Sequence, residues 1–192
     1  MIIPIGVDCE ITELCKKYNL RSCSLPFDWT VSYNGVSKCI DDEMNHFIPQ
    51  DNQRINPYDV YFHHDFHSSQ TYEEDKTKYD RRVQRLIRIL ETSSEKITFC
   101  RKGHCCHHHN EHNGQYKDIT SDIEDAEKLD AVISNKYPDL VYEIHIILVC
   151  GKCFDSNANY NCTSKNITIY NIASEKTDSS KIEDCFRTIF HI

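Results

Sequence analysis

The chain carries only five glycines, five prolines and one tryptophan in 192 residues. So few turn-forming residues exclude collagen-like repeats and Pro/Gly-rich low-complexity architectures. No apolar run approaches the roughly 18 residues that a membrane-spanning helix needs. Positive charge is short as well. Only 22 Lys and Arg face 30 Asp and Glu, for a net charge of −8, which argues against a broad basic face for nucleic acid. Residues Met1 to Asp8 lack a basic n-region and soon meet an aspartate, so they do not read as a secretory signal. The expectation is a cytoplasmic chain with no membrane or nucleic-acid partner. If its richness in Tyr, Ile, Lys and Asn reflects the AT-rich genome of a large DNA virus, that cytoplasm is the host's.

What the chain has in excess is eleven cysteines and eleven histidines. Disulfides are the first explanation to set aside. A reducing cytosol keeps thiols free, and an odd count forbids complete internal pairing. A chain of this length, 39% hydrophobic and 27% charged, buries one substantial core without staples. Asn161-Cys162-Thr163 and Asn166-Ile167-Thr168 fit the glycosylation pattern but, without a secretory route, read as chance. Metal sites and nucleophilic thiols remain.

Hydrophobic periodicity sets the architecture. Residues 2–7 form a short apolar strand. After Asp8, a plausible helix N-cap, Ile11, Leu14, Cys15 and Tyr18 recur at helical spacing. Residues 21–29 read as irregular around Pro26, 36–47 as a modest helix, and 58–63 as a second strand by their aromatic and β-branched content. Tyr79, Val83, Leu86, Ile87 and Leu90 line a strong helix beginning near Lys76. A strand at 97–101, a helix at 122–136, strands at 141–149 and 167–172, and a short helix at 182–190 complete the order. Strands alternating with helices predict one α/β domain over residues 1–192. Its three layers would surround a mainly parallel central sheet of Rossmann-like or SGNH-like kind. Sites in such sheets gather at the carboxyl ends of the strands.

Cys9 lies in the first of those turns, where the open N–H groups and dipole of a helix start would stabilise a thiolate. A buried core cysteine is the alternative. His63-His64-Asp65 follows the second strand. If the first two strands run parallel, Cys9 and His64 meet on one edge, with Asp65 or Asp28 orienting the imidazole. Asp28 is equally suited to locking its own loop through backbone hydrogen bonds. Backbone N–H groups near Cys9 would serve as an oxyanion hole.

These segments carry a resemblance. Ile5-Gly6-Val7-Asp8-Cys9, Leu20-Arg21-Ser22, Pro26-Phe27-Asp28-Trp29, Phe62-His63-His64-Asp65-Phe66, Tyr79-Asp80-Arg81-Arg82-Val83-Gln84-Arg85 and Phe99-Cys100-Arg101 follow one another over residues 1–101. The succession resembles the papain-like cysteine peptidase family, itself a domain of unknown function. The resemblance implies a nucleophile at Cys9, a histidine partner at His64 and a thiol protease type of hydrolase. A nucleophile placed after a buried first strand is nearer to Rossmann-like and SGNH-like enzymes, some of whose cysteine-bearing relatives transfer acyl groups. Val7-Asp8 departs from the small polar residues commoner in the family, and an acid there opposes a thiolate unless it caps the helix.

Arg81, Arg82, Arg85 and Arg101 suit an anionic group bidentately, with Trp29 beside them. For Arg81 and Arg88 a solvated helix face paired with Glu73, Glu74 and Asp75 is the preferred reading. Arg101 ends a strand on the edge where a ligand would bind. The thiol chemistry needs no cofactor, and its substrate would be a protein or a small acyl or amide compound. A zinc site is the competing use of the Cys/His stock. Residues 102–120 form a Cys/His-rich loop in which Cys105, Cys106, His109 and His112 offer nitrogen and sulfur ligands, and Cys150-Gly151-Lys152-Cys153 adds a CxxC. In that reading the chain is a non-catalytic, zinc-stabilised protein-binding or host-interaction module.

Overall fold

A computed structural model of the chain describes residues 1–32, 35–103, 122–149, 162–172 and 179–192. Its strands are β1 (Ile2–Gly6), β2 (Thr30–Val31), β3 (Tyr61–Phe62), β4 (Ile97–Gly103), β5 (Tyr142–Val149) and β6 (Ile167–Ile172). Its helices are α1 (Glu10–Lys17), α2 (Gly35–Asp41), α3 (Tyr72–Thr92), α4 (Asp122–Lys136) and α5 (Ser179–Phe190), with a 3₁₀ turn at Pro26–Trp29.

Four strands form one sheet in the order β1-β4-β5-β6, every pairing parallel. Parallel strands covered on both faces read as nearly continuous apolar runs, as IIPIG and YEIHIILV do. Pro4 is tolerated because β1 pairs only with β4 among the described residues, and a strand edge does not need its missing N–H. Alternation along the strands separates two cores. Ile97, Phe99, Ile144, Ile146 and Leu148 meet Val36, Tyr79, Leu86, Leu129 and Ile133 of α2, α3 and α4. On the opposite face Cys100, Ile147 and Val149 meet Ile11, Leu14 and Cys15 of α1 and Ile182 and Phe186 of α5. The result is an α/β domain with helices on both sides of a parallel sheet. No helix among the described residues is long and apolar enough to cross a membrane.

The structure starts α3 at Tyr72 and α5 at Ser179, earlier than expected, and carries β4 through Lys102 and Gly103, which were expected in the 102–120 loop; two further elements differ more. The helix expected at 36–47 stops at Asp41, because the following turn puts Glu43 and Met44 in the left-handed region at φ 53° and 63°. The strand expected at 58–63 contracts to Tyr61–Phe62, and it pairs antiparallel with β2 instead of entering the parallel sheet. Its first half is lost to a turn. The Asn56 side chain accepts from the N–H groups of Tyr58 and Val60 at 2.9 and 3.0 Å, and Asp59 takes φ 60°.

Candidate functional site

β1 ends at Gly6 with φ 125°, a conformation that L side chains rarely adopt. The close approach of β4 is a second requirement, since a Cβ here would lie 2.6 Å from the Lys102 carbonyl oxygen. The chain leaves the sheet there and places Cys9 at the N-cap of α1. Asp8 serves the helix start from one residue earlier, its Oδ1 accepting the Glu10 N–H at 3.0 Å. Lys102, nearly buried, reaches Asp8 Oδ2 at 2.6 Å and Glu10 Oε2 at 2.5 Å, balancing two of the acids beside the cysteine.

His64 arrives by a different route from a neighbouring parallel strand. The Gly6 carbonyl accepts from Ser32 N at 2.8 Å and Oγ at 3.3 Å, anchoring the end of β2 at the end of β1. β2 then holds β3 in the register Thr30 to Phe62 and Val31 to Tyr61, and the segment leaving β3 carries His63 and His64 over the start of α1. That segment is tied down on both sides. Arg54 donates to the carbonyls of Phe62, at 3.1 Å, and His63. Asp75 of α3 accepts the Phe66 N–H at 2.8 Å. The outcome is a Cys9 Sγ to His64 Nε2 separation of 3.8 Å. Trp29 packs its ring nearly perpendicular to His64 with centroids 5.8 Å apart, His63 lies against the same imidazole at 4.9 Å, and Lys16 holds its ammonium 5.0 Å over Trp29. Thr12, one turn after Cys9, donates to the Asp28 carbonyl at 2.6 Å, so one face of α1 grips the Pro26–Trp29 turn.

Burial pushes the Cys9 thiol up to about 11, and the charges of Asp8, Glu13 and Asp28 push the same way. This reverses the expectation of a thiolate stabilised by the helix start. The Glu10 N–H that would favour the anion is already engaged by Asp8, and three carboxylates outweigh a helix only two turns long. Cys9 therefore rests as a protonated thiol within reach of the His64 ring. Cys15, deeper against the sheet, is pushed by burial to about 12 and belongs to the core.

The remaining predicted residues divide between supports and bystanders. Asp65 does not face His64. Its carboxylate takes the Lys78 ammonium and, at 2.8 Å, the Tyr79 hydroxyl, so it clamps the histidine segment to α3. Asp28 is buried and locks its own turn. Its Oδ2 accepts from Arg21 Nε at 3.1 Å, Arg21 Nη2 at 2.5 Å and the Leu25 N–H at 3.0 Å, while Oδ1 has no partner among the described residues. Arg101 is 1% exposed and bound to Asp122 and Asp125 at 2.6 and 2.7 Å, which removes it from the ligand edge. Arg82 lays its guanidinium over Tyr79 at 4.7 Å, and Arg85 donates to the Ser24 carbonyl. Cys105, Cys106, His109, His112, Cys150 and Cys153 lie outside the described residues, among which no cluster of side chains suits a metal ion.

Lys102 and Lys78 carried no expectation, and Gly6 and Arg21 stood in the quoted motifs without a role; the four hold Cys9, the Pro26–Trp29 turn and the histidine segment in place. One signal was available: Lys102 alternates with Arg101 in β4, so it must emerge on the α1 face, beside Asp8. Compared with family models, curated proteins and solved structures, the chain matches none of them.

Proposed function

We propose that Cys9 and His64 act as a nucleophile and general base that attack a carbonyl, making the chain a cysteine-dependent hydrolase or acyl transferase. The observation that carries the reading is the 3.8 Å approach of Sγ to Nε2 in the turn following the first strand. In the first step His64 Nε2 takes the thiol proton as Sγ bonds to the carbonyl carbon, and the oxygen becomes an oxyanion. The N–H groups of Cys9 and Ile11, at the open end of α1, supply its donors. Collapse of the adduct expels the leaving group, which receives the proton from the imidazolium and leaves a thioester on Cys9. Water or an acceptor nucleophile then releases the acyl group with His64 again as base.

The pair works as a dyad, with the imidazole held by packing against Trp29 and His63. A nucleophile in the first βα turn of a parallel sheet favours an SGNH-like or Rossmann-like arrangement over a papain topology, and with it acyl transfer alongside peptide or amide cleavage. The resemblance to papain-like cysteine peptidases supports the same two residues. Mixing the protein with a small activated thioester or ester and reading intact mass tests the reading. One acyl group on Cys9, absent in Cys9→Ser and at least tenfold slower in His64→Ala, is the expected result. Acylation unchanged by His64→Ala would remove the general base and with it the proposal.

A further inference from the structure

Arg81, Arg85 and Arg88 of α3 are all exposed, and with Asp80 and Gln84 they line a shallow surface groove. At 1.5 Å and 100° per residue, the three sit within an arc of about 60° and are spaced by about 6 and 4.5 Å along the axis. The expected pairing of Arg81 and Arg88 with Glu73, Glu74 and Asp75 does not form: Asp75 binds Lys78 and the Phe66 N–H, and neither glutamate makes an ion pair with these arginines among the described residues. None of the three guanidinium groups has a carboxylate partner among the described residues, and the single side-chain bond of the set runs from Arg85 to the Ser24 carbonyl. In a chain of net charge −8, three aligned arginines with no ion pair among the described residues form a distinct basic stripe.

We infer that this stripe docks a short, extended acidic peptide segment of a partner protein. Alternate residues of an extended chain rise about 6.6 Å, so glutamates two apart come into register with Arg81 and Arg85, and a third is within reach of Arg88. Guanidinium groups with free fork geometry bind carboxylates bidentately. The length of the stripe decides against other polyanions. Asp80 within the groove and Glu73, Glu74 and Glu91 along the same helix bracket it, so a nucleic-acid backbone would run from the arginines directly into acids. The groove lining also contains no aromatic platform on which bases could stack. A lipid surface calls for a larger basic cluster, of about four to eight residues. Arg85 joins the stripe to the turn that carries Asp28 and Trp29, but docking there does not depend on the reactivity of Cys9.

Fluorescence anisotropy of the full chain with a labelled, roughly ten-residue peptide of alternating Glu and Ser tests the inference. Binding at low salt is expected, weakening as ionic strength shortens the Debye length from about 10 Å toward 3 Å. Arg81→Gln/Arg88→Gln removes two side chains that make no hydrogen bond or ion pair among the described residues, so it should fold as the parent does and bind at least tenfold more weakly. A control lacking three off-stripe cations, Lys76→Gln/Lys128→Gln/Lys165→Gln, should bind like the parent. Equal weakening in the control, no peptide binding at all, or tighter binding to a uridine decamer or to phosphatidylserine vesicles would each overturn the proposal.

Discussion

The pH dependence of Cys9 reactivity separates a neutral thiol–imidazole pair from a preformed thiolate–imidazolium pair. With burial and three nearby acids pushing the thiol to about 11, about one molecule in 10⁴ carries a thiolate at pH 7, against about one in 10² at the ordinary value of 9.0. Iodoacetamide needs only the thiolate, so alkylation of Cys9 should be about a hundredfold slower than that of an unperturbed cysteine at pH 7. The rate should also rise about tenfold per pH unit, without a plateau below about pH 10. Peptide mass spectrometry after timed quenching follows Cys9 apart from the ten other cysteines. Glu13→Gln removes one of the acids that raise the thiol. Its side chain is 57% exposed and solvent screens it, so the gain in rate should be no more than a few fold. An alkylation rate flat from about pH 5 to 8 would mean that the proton already rests on His64, and the base-first mechanism would fail.

Four other outcomes follow from the packing. Arg101→Met strands the carboxylates of Asp122 and Asp125 in the core beneath α4 and should lower unfolding stability by about 3–5 kcal/mol in urea titration. Burial raises Asp125 toward about 6, more than Arg101 lowers it. Its stabilising contribution is then complete below the unfolded carboxylate value near 3.8 and disappears as pH rises through 6. Asp125→Asn should flatten that portion of the stability profile. Gly6→Ala forces a side chain against the Lys102 carbonyl at positive φ, and should cost about 1–3 kcal/mol while slowing Cys9 acylation through displacement of the turn. Asp65→Asn weakens the clamp to Lys78 and Tyr79, so acylation should slow with a melting-temperature loss of only a few degrees. Unchanged acylation would show that His64 is held without Asp65.

The parts of this molecule legible in advance are those written in short-range periodicity. α4 begins and ends where the apolar spacing of Ile123, Ala126, Leu129 and Ile133 places it, and the apolar runs of β1, β4, β5 and β6 identify the strands of the parallel sheet. The position of Cys9 was legible for a related reason: an apolar strand followed closely by an amphipathic helix leaves Val7, Asp8 and Cys9 at the turn between them. The partner residue was named but its path was not. His64 reaches Cys9 through the Gly6 to Ser32 bond and the β2–β3 ribbon, both of which join residues far apart in sequence. No local pattern encodes them. Arg101 shows the opposite failure, since its burial was encoded and went unread. Two residues after Phe99 it must share that residue's buried face, and a buried guanidinium demands acids. Asp122 and Asp125, three apart on the first turns of α4, are the acids that meet it. By the same alternation Lys102 crosses to the opposite face and reaches Asp8 and Glu10. Two adjacent cations at the end of one strand thus divide the labour, one securing α4 to the sheet and the other offsetting the acids around Cys9.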